Sequence, residues 1–150
     1  MNGIPPRKGF TRGRSWARRY AMQALYQWQM TGQDAAAIFD QFLSEQEMGR
    51  ADLTYFQELL CQIPLRVTAI DAQLVPFLDR PLEQVDPVER AILRIAAYEL
   101  AYRPDVPFRV VINEAVEIAK KFGAEQGHRF VNGVLDKTAR QLRPQEGGHA

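Results

Sequence analysis

Arg12, Arg14, Arg18 and Arg19 crowd the start of the first helix this chain can form. Guanidinium groups do no acid–base work near neutral pH. What they offer is anion binding, with forked N–H donors and a fixed positive charge suited to phosphate. A helix N-terminus adds to this, because its free N–H groups and the positive end of its dipole also favour an anion. Arginines crowded there raise the helix's energy unless an anion is present, so their position argues for a ligand. The first 33 residues hold these four arginines with Arg7 and Lys8, and no Asp or Glu; the remainder carries 13 basic and 18 acidic residues. The net charge of +1 hides that split. A basic segment on an acidic body has RNA or DNA phosphate as its commonest partner. A solvated tail is the bland alternative.

Little else in the sequence could make or break a bond. Only His128 and His149 are present, and neither belongs to a metal-binding pattern. The nucleotide-loop, nucleophile-elbow and zinc-protease motifs are all missing. Cys61 lies beside Leu59, Leu60 and Ile63, where a small buried hydrophobe is expected rather than a nucleophile. Glu117 and Lys121 read as an i, i+4 ion pair on a solvated face. The expectation is a binding protein with no cofactor and no metal. Two smaller features join the basic start. Lys120 and Lys121 form a second cationic cluster. Phe77 and Arg80 fall on a loop, where an aromatic ring could stack on an unpaired base or simply pack in the core.

The elements that must position these residues are helical throughout. Residues 1–14 mix Gly3, Pro5, Pro6, Gly9 and Gly13 with charge, and predict a flexible basic arm. Ser15 reads as an N-cap for a helix to about Met30. Ala17, Ala21, Ala24, Leu25 and Trp28 share one face. Arg19 and Gln23 lie opposite, as does a second apolar line of Met22, Tyr26 and Met30, which either packs inward or waits for a partner protein. A second helix is predicted over Asp34–Glu47. A third, capped by Asp52, keeps its period from Tyr55 to Phe77 but contains Pro64, which predicts a kink or break. Asp86-Pro87-Val88-Glu89 is the strongest helix start in the chain. The helix behind it is apolar on most sides and therefore central. Further helices are expected over Val110–Phe122 and from about Phe130 to Leu142. Gly133 reads as a close-packing point within the last, and residues 144–150 as a polar tail. No segment alternates as a strand would.

The expected fold is all-α, six or seven helices, and the length fits one domain or two small halves sharing a core: 150 residues, 46% apolar and 25% charged. No run is long and apolar enough to span a membrane, and the N-terminus lacks the apolar core of a secretory signal. A single cysteine allows no disulfide framework, which fits a cytoplasmic location.

Three stretches carry a resemblance: RSWARRYAMQALYQWQ (Arg14–Gln29), VERAILRIAAYEL (Val88–Leu100) and VPFRVVINEAVEIAKKFGAEQGHRFVNGVLDK (Val106–Lys137). In this order and spacing the chain resembles the NusB family over about residues 14–143. The resemblance implies two small helical bundles packed across each other, over about 15–80 and 81–143. It implies a transcription antitermination role. In that role the protein pairs with a small-subunit ribosomal protein acting as NusE and binds boxA-type single-stranded RNA in nascent ribosomal RNA transcripts. The elongating RNA polymerase then carries an antitermination complex with other Nus factors. Carried onto this chain, the resemblance gives Arg14, Arg18, Gln23, Phe77, Arg80 and Lys120 as RNA candidates; charge and location add Arg12 and Arg19. It gives Tyr26 and Glu89 to the protein partner, and Met22 and Met30 share Tyr26's line. The same surface could serve a resting homodimer. Phe77 stands where tyrosine is common, and Gln126-Gly127 where an acid is frequent. Two other readings stay open. One is the NusB-like front domain of an RNA cytosine methyltransferase, which needs a Rossmann-like domain beyond residue 150. The other is a helical adaptor that binds protein only.

Overall fold

Helix α5, Pro87–Tyr102, is the axle of the molecule. The Asp86 side chain accepts hydrogen bonds from the backbone N–H groups of Val88 (2.9 Å) and Glu89 (3.2 Å), and Pro87 fills the first helical position, where no N–H is needed. Ala91, Ile92, Leu93, Ile95, Ala96 and Leu100 are all buried, so the helix is wrapped on nearly every side, as its composition predicts.

The structure is a computed structural model that describes residues 11–146. The described residues form seven α-helices and no strand. The expected arm over residues 1–10, with Arg7 and Lys8, and the chain end at 147–150 lie outside them. Helices α1 (Arg12–Thr31), α2 (Ala35–Glu45) and α3 (Leu53–Leu65) pack on one another, and α1 and α3 also pack on α5. Ala17, Ala21 and Ala24 are fully buried on α1; their small side chains let it approach its neighbours closely. Helices α4 (Val67–Leu74), α6 (Phe108–Phe122) and α7 (Gly127–Leu142) cover other sides of α5. Two short 3₁₀ turns, Val75–Phe77 and Leu82–Gln84, join α4 to α5.

Pro64 acts where expected. It sits in the last turn of α3, and the chain leaves helical geometry two residues later at Arg66 (φ −113°, ψ 17°). The Arg66 N–H then bonds the carbonyls of both Gln62 and Ile63. The consequence is larger than a kink. The chain restarts as α4, which packs on α5 and α7. The break at Arg66 thus turns the chain from α3 toward α5 and α7.

Several element ends also differ. Helix α1 begins at Arg12, because the Thr11 hydroxyl, not Ser15, accepts from the Arg14 N–H at 3.0 Å. Residues 12–14 are therefore helix rather than arm. Helix α6 starts two residues early, behind Pro107. Gly133 is exposed, and a methyl group there would meet nothing within 4 Å. It is not a close-packing point.

Two arginines tie the assembly together, and sequence reading found neither. Arg94 holds Asp71 of α4 with two hydrogen bonds of 2.9 Å and donates a third, of 3.0 Å, to Gln29 of α1. Three helices meet there. Buried Arg143 donates to the carbonyls of Glu99, Leu100, Arg103 and Val106. It satisfies the carbonyls that the end of α5 leaves open, where a cation also suits the helix dipole. Glu146 accepts from the Phe108 N–H at 2.7 Å and so caps α6. The first residues of the expected tail are thus docked.

Candidate nucleic-acid interface

The capped start of α1 sets out its four arginines at helical spacing, and that spacing divides them. Arg18 points inward. Its side chain is 1% exposed and grips Glu99 through Nε (3.0 Å to both carboxylate oxygens) and Nη2 (2.9 Å). Its Nη1 reaches Glu114 at 3.1 Å. The Tyr55 hydroxyl donates to the same Glu99 carboxylate. Burial alone lowers a guanidinium's pKa, but the charge and hydrogen bonds of Glu99 outweigh it, and Arg18 is held above its ordinary value. Burial, then the Glu99 charge, pushes the Tyr55 hydroxyl up, so it stays protonated and donates. Arg18, an RNA candidate by sequence, is therefore the centre of a buried ion network.

The other three arginines reach the surface to different degrees. Arg14 lies at the edge, 4.3 Å over the Tyr55 ring and 3.4 Å from Asp105. Arg12 is exposed and Arg19 half-exposed. Among the described residues, neither has a carboxylate within ion-pair reach. Arg12, Trp16, Arg19 and Gln23 recur at i, i+4, i+7 and i+11, so they form one stripe along α1. The Arg19 guanidinium lies 4.6 Å from the Trp16 ring centroid. Gln23 donates to the Arg19 carbonyl at 3.4 Å.

The stripe runs into an apolar groove. Met22, Gln23, Tyr26, Val88 and Phe122 line an open space of about 370 Å³. Tyr26 and Phe122 are each 39% exposed, and Met30 is 55% exposed one turn beyond Tyr26. These are large apolar side chains without a cover. Met22 differs from its neighbours, because at 2% exposure it is core with one edge on the groove. Of the expected partner line, Met22 therefore contributes only that edge to the groove.

Glu89 follows Val88 but turns away from the surface, with only 4% exposed. Its carboxylate lies under the α6–α7 corner, close enough that a Cβ at Gly127 would sit 2.0 Å from Oε2. Gln126, just before, adopts the left-handed region at φ 69°. Burial first, then the charge of Asp86, raises the Glu89 pKa, while the Ala124 N–H opposes the shift. Glu89, given to the partner surface by the resemblance, thus lies buried beneath the corner in this structure.

The remaining candidates sit around α7. Phe77 is half-buried in its 3₁₀ turn and packs against the core, which is the packing alternative that sequence left open. Arg80 is paired with Asp79 at 2.8 Å and lies 4.5 Å over the Phe130 ring. Lys120 is exposed and meets Glu117 at 3.7 Å, an i, i+3 pair in place of the Glu117–Lys121 pair expected. Sequence reasoning missed Trp16, Arg50, Val88 and Phe122. The signal for Trp16 was its i, i+3 spacing to Arg19. Arg50 sits on a loop, where no periodicity applies. Among the described residues no group of acids, histidines or cysteines could hold a metal ion, and no helix is long and apolar enough to cross a membrane.

Known proteins share this sequence and fold. The NusB family profile matches residues 15–140. The transcription antitermination protein NusB of Shewanella amazonensis is 56% identical over 121 residues, covering 81% of this chain and 90% of that protein. That of Nitrosococcus oceani is 56% identical over 133 residues, 89% of each. In three dimensions, T. maritima NusB superposes with a TM-score of 0.75 at 31% identity, over 91% of this chain and 97% of that one. A structure of the antitermination factors NusB and NusE in complex with double-stranded RNA gives a TM-score of 0.78 at 25% identity, over 88% and 99%. The three stretches that carried the resemblance lie within the matched region but for Arg14, and this chain belongs to the NusB family of transcription antitermination proteins.

Proposed function

We propose that this chain is the RNA-binding subunit of an antitermination complex. It pairs with the small-subunit ribosomal protein that acts as NusE and takes boxA-type single-stranded RNA from nascent ribosomal RNA transcripts. The tethered RNA and the elongating polymerase, with other Nus factors, then resist premature termination. The work is binding and proximity, with no covalent step. The protein acts in the cytoplasm, where transcripts emerge.

One observation carries this reading. The outer stripe of α1 presents Arg12 and Arg19 without carboxylate partners and runs straight into the groove of Tyr26, Val88 and Phe122. A cationic track for phosphate and an uncovered apolar surface for a protein meet on one helix. Arg14 flanks the track. Arg80, Phe77 and Lys120 offer lesser contacts farther along, with Arg80 and Lys120 already engaged by acids. In a resting homodimer the groove is the face that would be covered. Relatives support the partner assignment, since a neighbour in fold is a complex of NusB, NusE and RNA.

The test is anisotropy of a labelled boxA-type RNA titrated with this protein, with and without the ribosomal protein, beside a scrambled RNA. The expected result is selective binding, tightened by the partner and weakened by salt with a log–log slope of about −0.7 per phosphate neutralised. Binding to both RNAs alike, with no gain from the partner, would refute it.

A further inference from the structure

The loop between α2 and α3, residues 46–52, is pinned onto the first two turns of α1. The Tyr20 hydroxyl donates to the Glu47 carbonyl at 2.9 Å. The Asp52 N–H donates to the Gly13 carbonyl at 2.9 Å. A Cβ on Gly13 would be in van der Waals contact with Asp52, at 3.4 Å, so the loop lies directly against α1. This fixed approach sets Arg50 over the Trp16 ring, 5.2 Å from its centroid, while Arg19 lies 4.6 Å from the same centroid. Trp16 in turn is stacked on Tyr20, with centroids 6.1 Å apart.

Two guanidinium groups therefore share one indole. Among the described residues, neither has a carboxylate within ion-pair reach. Most other ring-stacked arginines here do have one: Arg14 with Asp105, Arg80 with Asp79, Arg94 with Asp71 and Arg103 with Glu58. The indole face attracts each cation and limits its freedom, but it carries no net charge to offset the repulsion between them. Lying 4.6 and 5.2 Å from one centroid, the two are no farther apart than a Debye length, about 10 Å at 0.1 M salt, so that repulsion is only partly screened. An anion bridging the pair removes it. Guanidinium forks match phosphate oxygens, and cations already oriented lose less freedom on binding.

We propose that Arg19 and Arg50, oriented by Trp16, form a phosphate clamp that carries the RNA off α1 and across the α2–α3 loop. The ligand is the backbone of an RNA strand, read by charge and not by base. The inference rests on the RNA-binding reading above and extends that site to a loop outside it. Arg50 is the new contact, and Trp16 is a positioning residue whose ring is already occupied by cations, so it is not a platform for a base.

The test uses the full chain with the ribosomal-protein partner and a labelled boxA-type RNA. Arg50→Ala lies on an exposed turn, and circular dichroism checks its fold. Its affinity is expected to fall roughly three- to tenfold, with a log–log salt slope shallower by about 0.7. A second readout comes from Trp28→Phe, which leaves Trp16 as the only tryptophan. RNA should then change the Trp16 emission, and adding Arg50→Ala should reduce that change. If Arg50→Ala binds with unchanged affinity and slope while Arg12→Ala binds more weakly, the clamp is overturned and the wider function stands. If the parent protein binds no RNA, both fall.

Discussion

Arg18 and Arg19 are adjacent in sequence and opposite in role. One is 1% exposed, with Glu99, Glu114 and the Tyr55 ring around it. The other lies along a tryptophan at the surface, without a carboxylate in reach among the described residues. A helix turns by about 100° per residue, and that rotation separates a buried, paired cation from a surface one. Charge density along a sequence cannot make this distinction. The partners waiting on α3, α5 and α6 make it.

The largest expected effect follows from breaking the inner member of the pair. Arg18→Ala leaves Glu99 buried with only the Tyr55 hydroxyl, and loss of one partner from a buried ion pair costs about 3–5 kcal/mol. Urea denaturation should show a lower midpoint, and RNA binding by the fraction still folded should be near normal. Similar stability with lost RNA affinity would reverse the roles assigned here. A second, smaller effect sharpens the same contrast at Glu89, another charge turned inward. Gly127→Ala pushes a methyl group into the Glu89 carboxylate, and overpacking of this kind costs about 1–3 kcal/mol. Pairing it with Glu89→Ala should recover part of that loss in a double-mutant cycle; strictly additive losses would mean that the two do not touch.

The smallest effect is in pH dependence. Glu89 titrates above its ordinary value of 4.5 because burial and Asp86 disfavour its charge. The folded protein then holds this proton more tightly than the unfolded chain. The stability it contributes is full below about pH 4.5 and is lost as pH rises through the higher folded value. Glu89→Gln removes that dependence, so the variant should gain on the parent as pH rises from 4.5 toward neutrality. A stability difference flat across that range would show that Glu89 is not shifted.

The helices were readable because their signals are local. Asp52 and Asp86 cap where their side-chain chemistry says they should, and Pro64 ends a helix because it lacks a donor. What sequence could not supply was pairing at a distance. Arg18 meets Glu99 across 81 positions and Arg143 meets Glu99 across 44. No periodicity links such residues. For the same reason the burial of Met22 and Glu89 was not legible until the neighbouring helices were in place. Arg50 is the reverse case, a loop residue with no period of its own, brought to Trp16 by the backbone bond from Asp52 to Gly13. Thr11 was hidden by a simpler rival: Ser15 is as good a cap by type, and only geometry decides between them.

The proposed role of Arg12 and Arg19 is to hold RNA phosphate without carrying the fold. The most direct measurement is a salt titration of boxA-type RNA binding for the parent and for Arg12→Ala combined with Arg19→Ala, with urea unfolding of both proteins in parallel. The account predicts an unchanged unfolding midpoint, at least tenfold weaker binding, and a log–log salt slope shallower by about 1.4, the value for two phosphates on a single strand. An unchanged slope and affinity in a folded double variant would contradict it, and would move the RNA off this helix altogether.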